Sequence, residues 1–257
     1  IAPGAPNDFE AEKVGIRGGT VSWTSVGDDK WAGGAAPLVE IWQSSQPLTA
    51  DNLAQAEKSM LDGAEEVGDL ATFAFSAEPK EVPELRHFAM RSVDDVGNAS
   101  ELRFTTVEVP AAEVALGDDF DSEEIAFQPS GDFHRVEEDG RGQVFSTRPT
   151  EAGSVDVSEL TSREIDLTDK KNAYLKFDFK TDLGWGEKAE VFVSTDGENW
   201  DRQSILRRNS VGWKEQVANL SEFDGQKVQL KFQVDSHEGK RFGGLRLDNV
   251  RLLVESN

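Results

Sequence analysis

The chain has 257 residues, enough for two domains that each bury a core, and its 37% hydrophobic content includes no apolar run near the roughly 20 residues of a membrane span. Its formal charge of −22, from 49 acidic against 27 basic side chains spread over both halves, repels phosphate backbones and excludes nucleic-acid binding. That charge suits solubility, cation binding or a high-salt setting. No cysteine is present, which excludes a disulfide framework, a thiol nucleophile and a zinc–thiolate site.

Residues 1–7 lack the charged and apolar regions of a signal peptide, and Ile1-Ala2-Pro3-Gly4-Ala5-Pro6 reads as a Pro/Gly linker. A first domain is expected over residues 8–109. Residues 19–24 alternate as a strand with Val21 and Trp23 on one face, Gly27-Asp28-Asp29 is a turn, and residues 37–42 form a second strand. Residues 51–60 read as a helical or irregular insert, with Asp51 as cap and Leu53, Ala56 and Met60 at helix spacing. Strands over 71–75, 86–93 and 102–109 complete a sandwich of about 100 residues. Residues 110–113, Pro110-Ala111-Ala112-Glu113, form a short linker without strand alternation.

A second β domain is expected over residues 114–257. Leu175, Phe177 and Phe179 alternate with Tyr174, Lys176 and Asp178, so one face is buried. Val191 and Val193 oppose Glu190 and Phe192, and the strand runs into Asp196-Gly197, a hairpin signal because glycine supplies the positive φ of a tight turn. Val228, Leu230, Phe232 and Val234 alternate with Lys227, Gln229, Lys231 and Gln233, which gives a charged outer face. In the last strand the apolar phase changes at Asp248-Asn249, the mark of a bulge.

Two resemblances follow from these residues. Val21-Ser22-Trp23-Thr24, Gly27-Asp28-Asp29 and the run from Phe88 to Ser100 resemble a bacterial fibronectin type III domain of the kind that follows catalytic domains in secreted peptidases. Arg86 stands where such domains carry the tyrosine-corner residue. Asp119-Phe120-Asp121, Tyr174-Leu175-Lys176-Phe177, the run from Val193 to Trp200, Gly212-Trp213-Lys214 and Leu247-Asp248-Asn249-Val250 are similar to the MAM-like jelly roll of secreted bacterial peptidases, subtilase or immune inhibitor A-type. The expected fold is therefore all-β, a fibronectin type III (Ig-like) sandwich followed by a jelly-roll β-sandwich.

Catalytic motifs are lacking. His87, His134 and His237 sit in no HExxH helix, and no Gly-x-Ser-x-Gly elbow occurs. Calcium takes six to eight hard oxygens, which acidic loops supply. The jelly-roll resemblance implies a structural calcium ion held by Asp119, Asp121 and Asp248, with Asp118 and Glu123 as helpers; the alternative is a solvated acidic loop. Asp28-Asp29 with Asp94-Asp95 is a second acidic candidate, although turns also use Asp for local hydrogen bonds. Trp31, Trp185, Trp200, Trp213 and Phe242 lie in or beside turns, and Tyr174 and Phe192 line sheet faces. Trp185, Tyr174, Phe192 and Trp213 are the candidate ligand-binding residues, while the jelly-roll resemblance implies that Trp200 and Trp213 pack over the sandwich edge. The resemblance implies a non-catalytic accessory region of a secreted or cell-surface peptidase that holds the enzyme on a protein substrate or a surface macromolecule, with no membrane insertion. The alternatives are a carbohydrate-binding module on polysaccharide and an adhesion or self-association module.

Overall fold

The computed structural model describes residues 1–30, 32–64, 66–147, 157–184, 187–206, 209–235 and 244–256. Two compact units divide the chain, Ile1–Ala112 and Glu113–Asn257.

The first unit contains β1 (Glu10–Gly15), β2 (Gly18–Thr24), β3 (Gly27–Asp29), β4 (Ala32–Ala35), β5 (Leu38–Ser44), β6 (Glu57–Asp62), β7 (Leu70–Ser76), β8 (Glu84–Val93) and β9 (Arg103–Val109). A 3-stranded sheet in the order β1–β2–β7 and a 4-stranded sheet in the order β6–β5–β8–β9 pair antiparallel throughout, and β3 and β4 form a separate hairpin. Alternation sends Val21, Trp23 and Phe75 of the first sheet and Val39, Ile41, Phe88 and Met90 of the second into one core. Phe75 meets Phe88 there at a ring-centroid distance of 4.9 Å. These two sheets make an antiparallel β-sandwich, in which Arg86 Nε lies 3.0 Å from Glu84 Oε1.

Two local features differ from the sequence expectation. Residues 51–60 form no α-helix: the 3-10 turn Leu53–Gln55 stops where Ala56 turns extended, and β6 starts at Glu57. Met60, read as a helix position, pairs with Glu40 of β5 and is 61% exposed, so its spacing from Leu53 and Ala56 reflects no shared buried face. Residues 1–7, read as a linker, are tied to the first unit: Gly4 N donates to Lys30 O at 2.9 Å, and Arg103 Nε donates to Pro6 O at 2.9 Å.

The second unit contains β10 (Glu113–Asp118), β11 (Phe127–Ser130), β12 (His134–Glu138), β13 (Gly142–Ser146), β14 (Val157–Ser162), β15 (Ile165–Asp166), β16 (Lys170–Asp182), β17 (Lys188–Ser194), β18 (Asp201–Leu206), β19 (Lys214–Asn219), β20 (Lys227–Asp235) and β21 (Gly244–Ser256). One sheet runs β12–β13–β21–β16–β19 with β10 also on β21, and the other runs β11–β14–β20–β17–β18 with β15 also on β20. Their inner faces close a jelly roll over a Phe-rich core, in which Phe177 of β16 meets Phe232 of β20 at 5.0 Å. The bulge expected in the last strand is present. Lys176 pairs with Arg251 and Asp178 with Asp248, so Asn249 and Val250 together oppose Phe177, and Asn249 takes φ 50°.

Candidate functional site

The outer face of the β11–β14–β20–β17–β18 sheet gathers the side chains best suited to holding a ligand. A strand sends alternate residues to opposite faces, so the phase that buries Val191 and Val193 turns Glu190 and Phe192 outward. On β20 the same rule turns Gln229, Lys231 and Gln233 outward, and on β14 it does so for Glu159 and Thr161. Register then sets the neighbours. Thr161, Lys231, Phe192 and Arg202 form one row across four strands, and Glu159, Gln233, Glu190 and Ile205 form the next.

Trp200 joins this face from the loop that links β17 to β18. The expected hairpin exists, with a longer connection than a tight turn, organised by Asp196. Its carboxylate accepts from Glu198 N at 2.8 Å, Asn199 N at 2.7 Å, Asn199 Nδ2 at 2.7 Å and Ser194 Oγ at 3.0 Å. Gly197 takes φ 75°. The hydrogen bond from the Asn199 side chain, then those from the backbone, hold the Asp196 carboxyl well below the usual carboxylate range. A loop tied at so many points fixes where the indole emerges.

The Lys231 ammonium lies 4.3 Å from the Trp200 ring centroid and 5.5 Å from that of Phe192, and it is paired with Glu159 Oε1 at 2.9 Å. Alongside, Glu190 is buried yet bridges Lys188 at 2.8 Å and Arg202 at 3.0 Å. Burial pushes the Glu190 carboxyl up, but those two donors outweigh it and hold it below its ordinary value. Gln233 and Thr161 are half-buried and have no side-chain hydrogen-bond partner among the described residues. The face thus combines two half-exposed rings with amide, hydroxyl and carboxylate groups. Rings offer flat apolar area, and the polar groups around them fix orientation.

The sequence candidates do not share one surface. Phe192 belongs to this face, whereas Tyr174 and Trp213 lie on the opposite sheet, Tyr174 on β16 and Trp213 immediately before β19. Trp185 lies outside the described residues, as do Trp31, Phe242 and His237. Trp200, Lys231, Glu159 and Gln233 are the residues that sequence reasoning left out of the site. The alternation of β20 had already placed Lys231 and Gln233 on an outer face.

Trp213 stacks on Arg141, with the guanidinium carbon 4.2 Å from the ring centroid. Arg141 Nη1 donates to Asp248 Oδ2 at 2.7 Å and to Asp178 Oδ2 at 2.8 Å. Burial raises the Asp248 carboxyl above its ordinary value, with the Arg141 hydrogen bond opposing it. The positive charge beside Asp248 is therefore a guanidinium.

The other carboxylates expected to hold calcium also take protein donors. Asp118 accepts from Phe120 N at 2.9 Å and Ala126 N at 2.5 Å. Asp121 accepts from Gln143 N at 2.7 Å, and a Cβ on Gly142 would stand 2.2 Å from Asp121 Oδ1 and displace that carboxylate. Asp119 accepts from Asp121 N at 3.3 Å, and Glu123 is exposed. The β12–β13 hairpin thus supplies donors to two of these carboxylates, Arg141 to Asp248 and Gln143 N to Asp121. Among the described residues, no three His, Cys, Asp or Glu side chains are grouped as a metal ion requires.

The two described histidines each have a polar neighbour. His87 Nδ1 lies 2.9 Å from Thr106 Oγ1, and His134 Nδ1 lies 2.8 Å from Asp132 O.

No protein-family model matches the chain, and no curated protein matches it in sequence. Among solved structures it is similar to a carbohydrate-binding module of the β-sandwich superfamily described for promiscuous specificity, at 14% identity and TM-score 0.37, covering 98% of each chain. A mannan-recognising module, TmCBM27, is 18% identical at TM-score 0.37, covering 56% of this chain and 99% of its own. A module from Cellvibrio mixtus lichenase 5A, solved with cellotriose, is 12% identical at TM-score 0.34, covering 56% of this chain and all of its own. Likenesses this remote assign neither fold nor ligand to the chain.

Proposed function

We propose that the second unit is a non-catalytic binding module that takes a polysaccharide on the outer face of the β11–β14–β20–β17–β18 sheet, outside the cell or on its surface. One observation carries this reading: Phe192 and Trp200 stand half-exposed on a sheet face among half-buried polar groups that include Gln233, Thr161 and Glu159. Sugar rings present an apolar face that stacks on aromatic rings and hydroxyls that bond amides and carboxylates. The first unit acts as a fibronectin type III partner to this module.

Retardation in gels cast with soluble polysaccharides, followed by calorimetric titration, tests the reading. The intact chain is expected to be retained by at least one polymer. Phe192→Ala and Trp200→Ala should each weaken retention about tenfold or more, as loss of a central aromatic anchor does. Retention on insoluble protein, with none on any polysaccharide, would instead support the peptidase-accessory role that the sequence resemblance implies. Unchanged retention in both variants would move the ligand to another surface.

A further inference from the structure

We infer that the ligand of this face is an uncharged glycan, bound with an affinity that salt does not change; this rests on the reading of the face as a polysaccharide site. Every charged side chain in the two rows beside the rings already has an opposite charge in contact. Lys231 is paired with Glu159 at 2.9 Å, Glu190 with Lys188 at 2.8 Å and with Arg202 at 3.0 Å, and Lys188 also with Asp235 at 3.7 Å. Among the described residues of the two rows, the cations Lys231 and Arg202 thus face the carboxylates Glu159 and Glu190, and the rows are neutral within a chain of formal charge −22.

That pairing decides between glycan classes. A uronate or a sulfate ester needs an unmatched cation, and here it would have to displace Glu159 or Glu190 from its partner. Glu190 is only 2% exposed, so displacement would leave a buried carboxylate unpaired, a large cost. Long-range forces act in the same direction, because the acidic chain repels anionic polymers before contact. A protonated amino sugar is attracted at long range, yet beside the rings it meets a like charge, the Lys231 ammonium, 4.3 Å from the Trp200 ring centroid. What remains on offer is ring area together with Gln233 and Thr161, groups that recognise hydroxyls without charge. Binding through such groups releases no counterions, so its affinity does not follow ionic strength.

The test compares gel retention and calorimetric affinity of the intact chain for neutral polymers (a β-glucan, a galactan, a mannan), acidic polymers (alginate, polygalacturonate) and chitosan, at about 0.05 M and about 1 M NaCl, salt levels that take the screening length from above 10 Å to about 3 Å. The expected result is retention on a neutral polymer, lost in Trp200→Ala, with an affinity that changes less than about twofold between the two salts, and no retention on alginate or polygalacturonate. Preferential retention on an acidic polymer or on chitosan, or an affinity that falls tenfold or more with salt, overturns the inference while leaving the polysaccharide reading intact. Failure to bind any of these polymers overturns both.

Discussion

Arg141, in the turn between β12 and β13, links several strands of the second unit. Its guanidinium contacts Asp178, Asp248 and the Trp213 ring, so it joins the β12–β13 hairpin to β16, β21 and the approach to β19. Magnitude separates it from its neighbours. Lys176 and Glu215 form a solvated pair at 2.8 Å, of a kind that contributes less than about 1 kcal/mol. Asp248, by contrast, has a side chain only 3% exposed, and removal of its partner would leave a buried charge uncompensated. Arg141→Ala should therefore destabilise the unit by about 3 kcal/mol, lowering its melting temperature by about 10 °C. Arg141→Lys should recover part of that loss, since an ammonium keeps the charge but lacks the planar stack on Trp213. Thermal unfolding followed by tryptophan fluorescence reads both variants. A melting temperature for Arg141→Ala within a degree or two of the parent would mean that Asp248 is solvated or protonated and needs no cation.

At the scale of elements, the bulge in β21 places Asp248 where Arg141 reaches it and Asn249 where its amide reaches Asp178. Asn249 occupies the left-handed region at φ 50°, which costs residues with a Cβ about 1–2 kcal/mol and which Asn tolerates better than most. Its Nδ2 also donates to Asp178 Oδ2 at 3.0 Å. Asn249→Ala should thus destabilise by about 1–2 kcal/mol, and Asn249→Gly should restore the backbone share but not the lost hydrogen bond. Equal losses in the two variants, measured by denaturant unfolding, would assign the whole effect to the amide. This bulge was legible in the sequence because two apolar phases are longer-lived signals than any one residue: Leu245 and Leu247 keep one phase, Val250, Leu252 and Val254 the other. The central strands β16, β17 and β20 were legible for the same reason, each having a face pressed into the core. Strand β6 was not, because it forms the edge of its sheet, with Met60 in solvent and only Leu61, half-buried, packed on the core. The site was half legible. Alternation turns Phe192 outward, but no local pattern says which sheet a strand joins, so Tyr174 and Trp213 were grouped with it although they face the other way. Similarly, carboxylates are visible as residue types, yet the contact of Arg141 with Asp248 spans 107 positions and exists only through the pairing of β13 with β21.

For the molecule as a whole, the excess of acid sets how stability and binding respond to salt. Each compact unit has its own apolar core, so differential scanning calorimetry reads the unfolding of both. The ion pairs above neutralise only part of a formal charge of −22, and the remaining carboxylates repel one another more in the compact state than in the unfolded chain. Screening that repulsion should raise the melting temperatures as NaCl increases from about 0.05 M to about 1 M, while the affinity of the Phe192–Trp200 face stays level. Calcium enters the same experiment as a separate variable. A divalent ion screens carboxylates wherever they lie, so its effect has to be compared with NaCl at equal ionic strength, and with chelator added. A rise confined to the second unit, present with millimolar calcium and absent at matched ionic strength, would place an ion among Asp118, Asp119, Asp121 and Glu123 and add to what Arg141 does beside Asp248. Equal rises in both salts would assign the whole response to general screening. If stability instead falls with NaCl, the surface ion pairs outweigh the net repulsion, and the charge excess is not what limits this fold.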